Sequence, residues 1–193
     1  MTGKTSLGLG ACLIIILSLT FPLEANPTNQ ITLRGKPLTL IGERVQIGKT
    51  LPDVKLPDLS LNMVDLNSFN GKVTIVSVVP SLDTPTCEKQ THILSEDNDG
   101  LDKTVRLATI SRDLPFAQKR FAKEANIKNI QFLSDYRLAE FGTQSGLLID
   151  ENRLLARAVM VLDRQGIIRH LEIVKELVQL PDMKKAFDAA RSL

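Results

Sequence analysis

Apolar runs along the chain alternate with breaks rich in proline, glycine and polar residues, on a length scale that predicts short strands interleaved with helices. Val73–Val79 is the strongest strand, β-branched and nearly free of polar residues, as a strand covered on both faces requires. Pro80 stops it. Thr86 to about Asp97 is helix-forming and is closed by Asp99-Gly100, and Val105–Ile110 reads as a second buried strand. Pro115, suited to a first helical turn, opens a helix running to about Asn126. A short strand over Asn129–Leu133 and a helical turn over Arg137–Phe141 follow. Leu154–Leu162 and Ile167–Val174 flank the turn Asp163-Arg164-Gln165-Gly166 as a hairpin, and Pro181-Asp182 opens a last helix ending near Leu193. Upstream, Ile31–Ile41 reads as two short strands around Arg34-Gly35-Lys36, the stretch to Asp58 as an ordered loop, and Met63–Phe69 as a further short strand.

This order predicts an α/β protein of the thioredoxin-like class: a central mixed sheet flanked by helices, preceded by an N-terminal β-hairpin. In that arrangement the redox centre sits where the first central strand ends and its helix begins. Here that junction reads Pro80-Ser81-Leu82-Asp83-Thr84-Pro85-Thr86-Cys87.

The first 25 residues form a separate unit. Lys4 precedes an almost uncharged stretch from Leu7 to Leu23, and Ala25 supplies a small residue at a cleavage point, which is the layout of a secretory signal peptide. A retained membrane anchor is the alternative. Residues 26–193 are then one domain, expected to be exported and periplasmic, with the membrane involved only through an uncleaved N-terminus. Leu9-Gly10-Ala11-Cys12 has the form of a lipoprotein box, but the apolar stretch mostly follows Cys12, whereas such boxes end it. Cleavage at Ala25 removes Cys12 and leaves a single cysteine, so no disulfide can close within the mature chain. A net charge of +2, with no run of five or more like charges, gives no electrostatic reason for a nucleic-acid partner.

Cys87 falls in the first turn of a helix, where unpaired N–H groups and the helix dipole favour thiolate over thiol. The Pro-containing loop before it argues against burial of the sulfur, while an inert packed cysteine is the alternative. A disulfide exchanger would need a second cysteine at position 84, where this chain has Thr84; its hydroxyl can hydrogen-bond a thiolate or a peroxide oxygen.

The pattern Pro80-x-x-x-Thr84-x-x-Cys87 resembles the peroxiredoxin active-site motif. Together with Asp113-Leu114-Pro115-Phe116-Ala117-Gln118 and Ala156-Arg157-Ala158-Val159, it is similar to the bacterial thiol peroxidase branch across about residues 30–192. The resemblance implies that Cys87 attacks peroxide, that Thr84 hydrogen-bonds thiolate and peroxide, that Pro80 shields the site, and that Arg157 supplies a fixed positive charge. It also implies a hydroperoxide substrate, an external thiol reductant, a homodimer and no cofactor. Arg157 also stands out on physical grounds, since an arginine between apolar strand residues is costly unless its charge is partnered; an outward-facing residue is the alternative.

The chain departs from its branch on the helix after Gln118. Lys119-Arg120-Phe121-Ala122 carries alanine where members of the branch have a resolving cysteine. The expected cycle therefore uses an external thiol to reduce a cysteine sulfenic acid, and a non-catalytic redox sensor oxidised at Cys87 is the second hypothesis. His92 and His170, the only histidines, lack a second cysteine to complete a zinc set, and His92 does not share a helical face with Cys87. Both are read as surface or packing residues. Asp53, Asp58 and Asp65 are read as loop carboxylates, and Phe116, Phe121, Phe132 and Phe141 as core.

Overall fold

A computed structural model describes residues 1–3 and 30–193. Lys4, the apolar stretch Leu7 to Leu23, Cys12 and Ala25 lie outside the described residues, and with them the signal-or-anchor reading. Among the described residues, no helix is long and apolar enough to cross a membrane. In chain order the elements begin β1 (Gln30–Leu33), β2 (Lys36–Ile41), β3 (Lys55–Pro57), β4 (Met63–Asp65), β5 (Thr74–Val78), α1 (Pro85–Glu96) and β6 (Arg106–Ser111). They continue α2 (Pro115–Glu124), β7 (Ile130–Ser134), α3 (Glu140–Gln144), β8 (Leu148–Ile149), β9 (Ala158–Leu162), β10 (Ile168–Ile173) and α4 (Met183–Arg191).

The central sheet has the order β10-β9-β5-β6-β7, with β5-β6-β7 parallel and β9 and β10 antiparallel. Strand side chains alternate between its two faces, so each face builds its own core. Ile75, Leu107, Phe132 and Val161 join the buried side chains of α1, α2 and α4 on one face. Val76, Ile110, Leu133 and Met160 join Phe141 of α3 and the small sheet β1-β2-β8 on the other. All five residues of β5 are buried, which is what its β-branched sequence requires. Consequently the chain leaving β5 emerges at the end of a rigid strand, with α1 starting directly above it.

Several elements differ from their sequence reading for local reasons. The strand expected from Leu154 starts at Ala158, because Leu155 bridges back to Leu148 and Ala156 N–H donates to Leu147 O at 2.7 Å. The helical turn expected over Arg137–Phe141 is displaced to α3, since Ala139 adopts a left-handed φ of 56° and the Asp135 carboxylate accepts from Phe141 N–H and Gly142 N–H. Phe116, expected in the core, is 66% exposed in the first turn of α2, whereas Phe132 and Phe141 are buried and Phe121 is half-buried. The N-terminal hairpin closes through Arg34 and Gly35, both in the left-handed region that a tight two-residue turn demands.

Candidate active site

Cys87 is the third residue of α1, after Thr84 at the N-cap and Pro85 in the first position. Proline loses nothing there because that N–H has no partner inside the helix. The sulfur is fully buried, contrary to the exposure expected from its loop-edge position. The first turn of α1 directs it inward, into the apolar cluster of Val79, Leu82 and Leu94, instead of outward with Glu88. Pro80, buried just past the end of β5, begins the loop that leads to α1.

The structure brings Arg157 to this buried thiol. Arg157 is 2% exposed and stands immediately before β9, the strand antiparallel to β5. Its guanidinium is held at three points: Nη2 donates to Cys87 Sγ at 3.4 Å, Nη1 to Gln90 Oε1 at 2.8 Å, and Nε to the Leu177 carbonyl at 2.9 Å. This partnering resolves the sequence question in favour of an inward-facing arginine. Burial of a cation is tolerable only where its protons are accepted, and three acceptors in a planar fork meet that need.

Gln90 does not stand out in the sequence. It is fully buried one helical turn beyond Cys87, with Nε2 donating to Ser77 Oγ at 2.8 Å and to Ala158 O at 3.4 Å. The available signal was spacing: an uncharged polar residue three positions after the cysteine shares its helical face. Asp113 carries a second network that the motif alone did not explain. Its carboxylate accepts from Ser81 Oγ at 2.7 Å, Leu82 N–H at 2.7 Å and Ser111 Oγ at 2.8 Å, tying the Pro80–Thr84 loop to the end of β6.

Thr84 is placed differently from its expected role. Its hydroxyl donates to the Ser81 carbonyl at 3.0 Å and makes no bond to Cys87, because the extended N-cap backbone turns the side chain toward the exposed loop. The hydroxyl oxygen keeps its acceptor lone pairs. His92 lies on the outer side of α1 between Glu88 and Glu96, and His170 is half-buried on β10, where burial pushes its imidazole pKa down. Neither is hydrogen-bonded to Cys87. Asp53, Asp58 and Asp65 make only local loop bonds, to Asn67, to Ser60 and Asn62, and to Asn67 respectively, apart from an exposed Asp65–Lys55 ion pair. Among the described residues, no group of three or more His, Cys, Asp or Glu side chains is clustered to hold a metal ion.

Residues 46–187 match the Redoxin family model. A thiol peroxidase of Bacillus subtilis is 42% identical over 164 residues, covering 85% of this chain and 98% of that protein. One of Staphylococcus saprophyticus is 41% identical over 164 residues, covering 85% of this chain and 99% of that protein. Among solved structures, a peroxiredoxin-like protein from Aquifex aeolicus superposes with a TM-score of 0.79 at 32% identity, covering 85% of this chain and 96% of the other. A thiol peroxidase from Chromobacterium violaceum, with a TM-score of 0.75 at 21% identity over 84% of this chain and 95% of the other, shares the fold. A thioredoxin-like sheet, a buried cysteine under an arginine at a strand–helix junction, and full-length similarity of this degree lead to one conclusion: the chain belongs to the redoxin family, in its bacterial thiol peroxidase branch, and lacks the resolving cysteine on α2.

Proposed function

We propose that the protein reduces hydrogen peroxide and organic hydroperoxides at Cys87, with electrons from an external thiol. The observation that carries this reading is the buried contact between Arg157 Nη2 and Cys87 Sγ at 3.4 Å. A fixed cation in a water-poor site stabilises the thiolate that attacks peroxide and the negative charge that develops on the departing oxygen. The thiolate attacks the terminal peroxide oxygen, the O–O bond breaks, and the leaving alkoxide or hydroxide takes a proton from solvent to become alcohol or water. Cys87 is left as a sulfenic acid. Thr84 orients the peroxide by accepting its O–H proton, its own hydroxyl hydrogen being engaged with Ser81 O. Pro80, buried at the end of β5, shields the site. An external thiol then attacks the sulfenic sulfur, water leaves, and a second thiol releases Cys87 from the mixed disulfide.

Export to the periplasm belongs to the same proposal and is supported by Lys4, the apolar Leu7–Leu23 stretch and Ala25. A homodimer also belongs to it, supported by family membership and by the exposed Leu114 and Phe116 at the start of α2. The absence of a cysteine on α2 favours a second reading, a sensor oxidised once at Cys87. Steady-state consumption of hydrogen peroxide and of an alkyl hydroperoxide, with dithiothreitol, glutathione and a thioredoxin system compared, separates the two. Sustained turnover that Cys87→Ser abolishes is the expected result. A single equivalent of peroxide consumed, with Cys87 trapped as sulfenic acid despite excess thiol, would establish the sensor instead.

A further inference from the structure

Arg157 takes two of its three supports from α1 and the third from the far side of β10. Arg157 Nε donates to the carbonyl of Leu177, in the segment that follows β10. That segment is held by the N-terminal hairpin: Thr32 N–H donates to Lys175 O at 2.6 Å, and Leu177 N–H donates to Thr32 O at 2.8 Å. The side chain of Glu176, between them, closes the attachment. Its carboxylate accepts from Thr32 Oγ1 at 2.8 Å, Arg34 N–H at 2.8 Å and Gly35 N–H at 3.0 Å. Arg34 and Gly35 both have positive φ, 51° and 77°, so their successive N–H groups converge into a concave anion cradle. Those bonds hold the Glu176 carboxyl at a pKa of about 2, Gly35 N–H contributing most, followed by Arg34 N–H and the Thr32 hydroxyl.

We propose that Glu176 is a positioning residue for the peroxidatic thiolate, fixing the Leu177 carbonyl against the N-terminal hairpin so that Arg157 is aimed at Cys87. This rests on Arg157 serving Cys87 in peroxide reduction. The hairpin is thereby part of the active-site scaffold, although none of its side chains hydrogen-bonds the sulfur. Arg157 has three bonds to satisfy and a planar group to satisfy them with. Loosening the Nε acceptor lets the whole fork rotate about Gln90, and the Nη2–Sγ contact lengthens. The attraction between the guanidinium and the thiolate falls with separation, so a contact that begins at 3.4 Å weakens as the fork turns away.

The test uses the full chain and reads the thiolate of Cys87 by ultraviolet absorbance across a pH series, with Cys87→Ser as the blank. Arg157→Met is the reference for complete loss of the cation and is expected to move the curve to higher pH by at least about one unit. Glu176→Ala is expected to move it the same way by about half a unit, roughly a threefold loss of thiolate on the steep flank. Glu176→Gln, which keeps one acceptor oxygen, falls between wild type and Glu176→Ala. Thr32→Val removes only the hydroxyl and leaves the hairpin's backbone bonds, and carries the test if Glu176→Ala does not fold; its expected shift is in the same direction and smaller. A Glu176→Ala curve that superposes on wild type while Arg157→Met moves it would overturn the proposal and leave Glu176 a staple for the hairpin. Where Thr32→Val stands in, superposition of its curve on wild type overturns the proposal equally. If Arg157→Met also superposes, the Arg157–Cys87 reading falls with it.

Discussion

At the residue scale, the buried polar cluster Cys87–Arg157–Gln90–Ser77 is held together because each side-chain nitrogen of Arg157 and Gln90 has an acceptor. Gln90 is its most constrained member, because its carbonyl oxygen takes an arginine proton while its amide serves β5 and β9. Leucine has nearly the same volume but cannot do either. Gln90→Leu leaves Arg157 Nη1 and Ser77 without their partners in a buried site, a penalty of about 1–3 kcal/mol. Chemical denaturation is expected to show that loss, and peroxide turnover is expected to fall by roughly tenfold as the guanidinium loses its second support. Unchanged stability together with unchanged turnover would mean that the glutamine is packing alone. The sequence made the cysteine, threonine and arginine legible because each sits in a motif with a chemical reason for its spacing. It left Gln90 and the Leu177 carbonyl hidden, since a glutamine on a helix looks solvated until its face is known, and a backbone acceptor carries no side-chain signal at all.

At the scale of elements, legibility followed the strength of the local signal. β5 was evident because burial on both faces demands an unbroken β-branched run, and α1, α2 and α4 because a proline or aspartate marks each start. β8, with two residues, has no periodicity to detect, and α3 begins where a tertiary contact from Asp135 pins it. The β1–β2 hairpin was legible as a turn, but its docking onto residues 175–177 was not, since the attachment is non-local. That docking has a pH signature whose sign is fixed by Glu176. Its carboxyl is lowered from 4.5 to about 2 on folding, so the unfolded chain takes up this proton first as the solution is acidified. The contribution is complete above the unfolded value, 4.5, and is lost as pH falls toward about 2. Denaturation midpoints of wild type and Glu176→Gln should therefore differ near neutrality, narrow below pH 4.5 and converge only as pH falls to about 2. A gap that stays constant over that range would show that the carboxylate charge contributes nothing to holding the hairpin.

For the whole molecule, the decisive property is redox chemistry with one thiol among the described residues. Cys87 and Ala122 are both buried and belong to the same apolar cluster, one at the start of α1 and the other within α2. A sulfenic acid formed at Cys87 therefore finds no thiol on α2, and without external thiol further peroxide drives it to sulfinic acid. Restoring a thiol on α2 should change this outcome. In a Cys12→Ser background, Ala122→Cys adds a single sulfur to the cluster, at an overpacking cost of about 1 kcal/mol. One equivalent of peroxide is expected to consume one thiol in the parent and two in the variant. The second thiol displaces water from the sulfenic acid to leave an intramolecular disulfide, detectable by thiol counting and by mass. Excess peroxide should then over-oxidise the parent while sparing the variant. Because both positions are buried, the disulfide also requires the first turn of α1 and the last turn of α2 to open together. A variant that over-oxidises as fast as its parent, with the second thiol intact, would show that this pair of helices stays closed. The exclusive use of an external reductant would then lie in the rigidity of the cluster as well as in the missing cysteine.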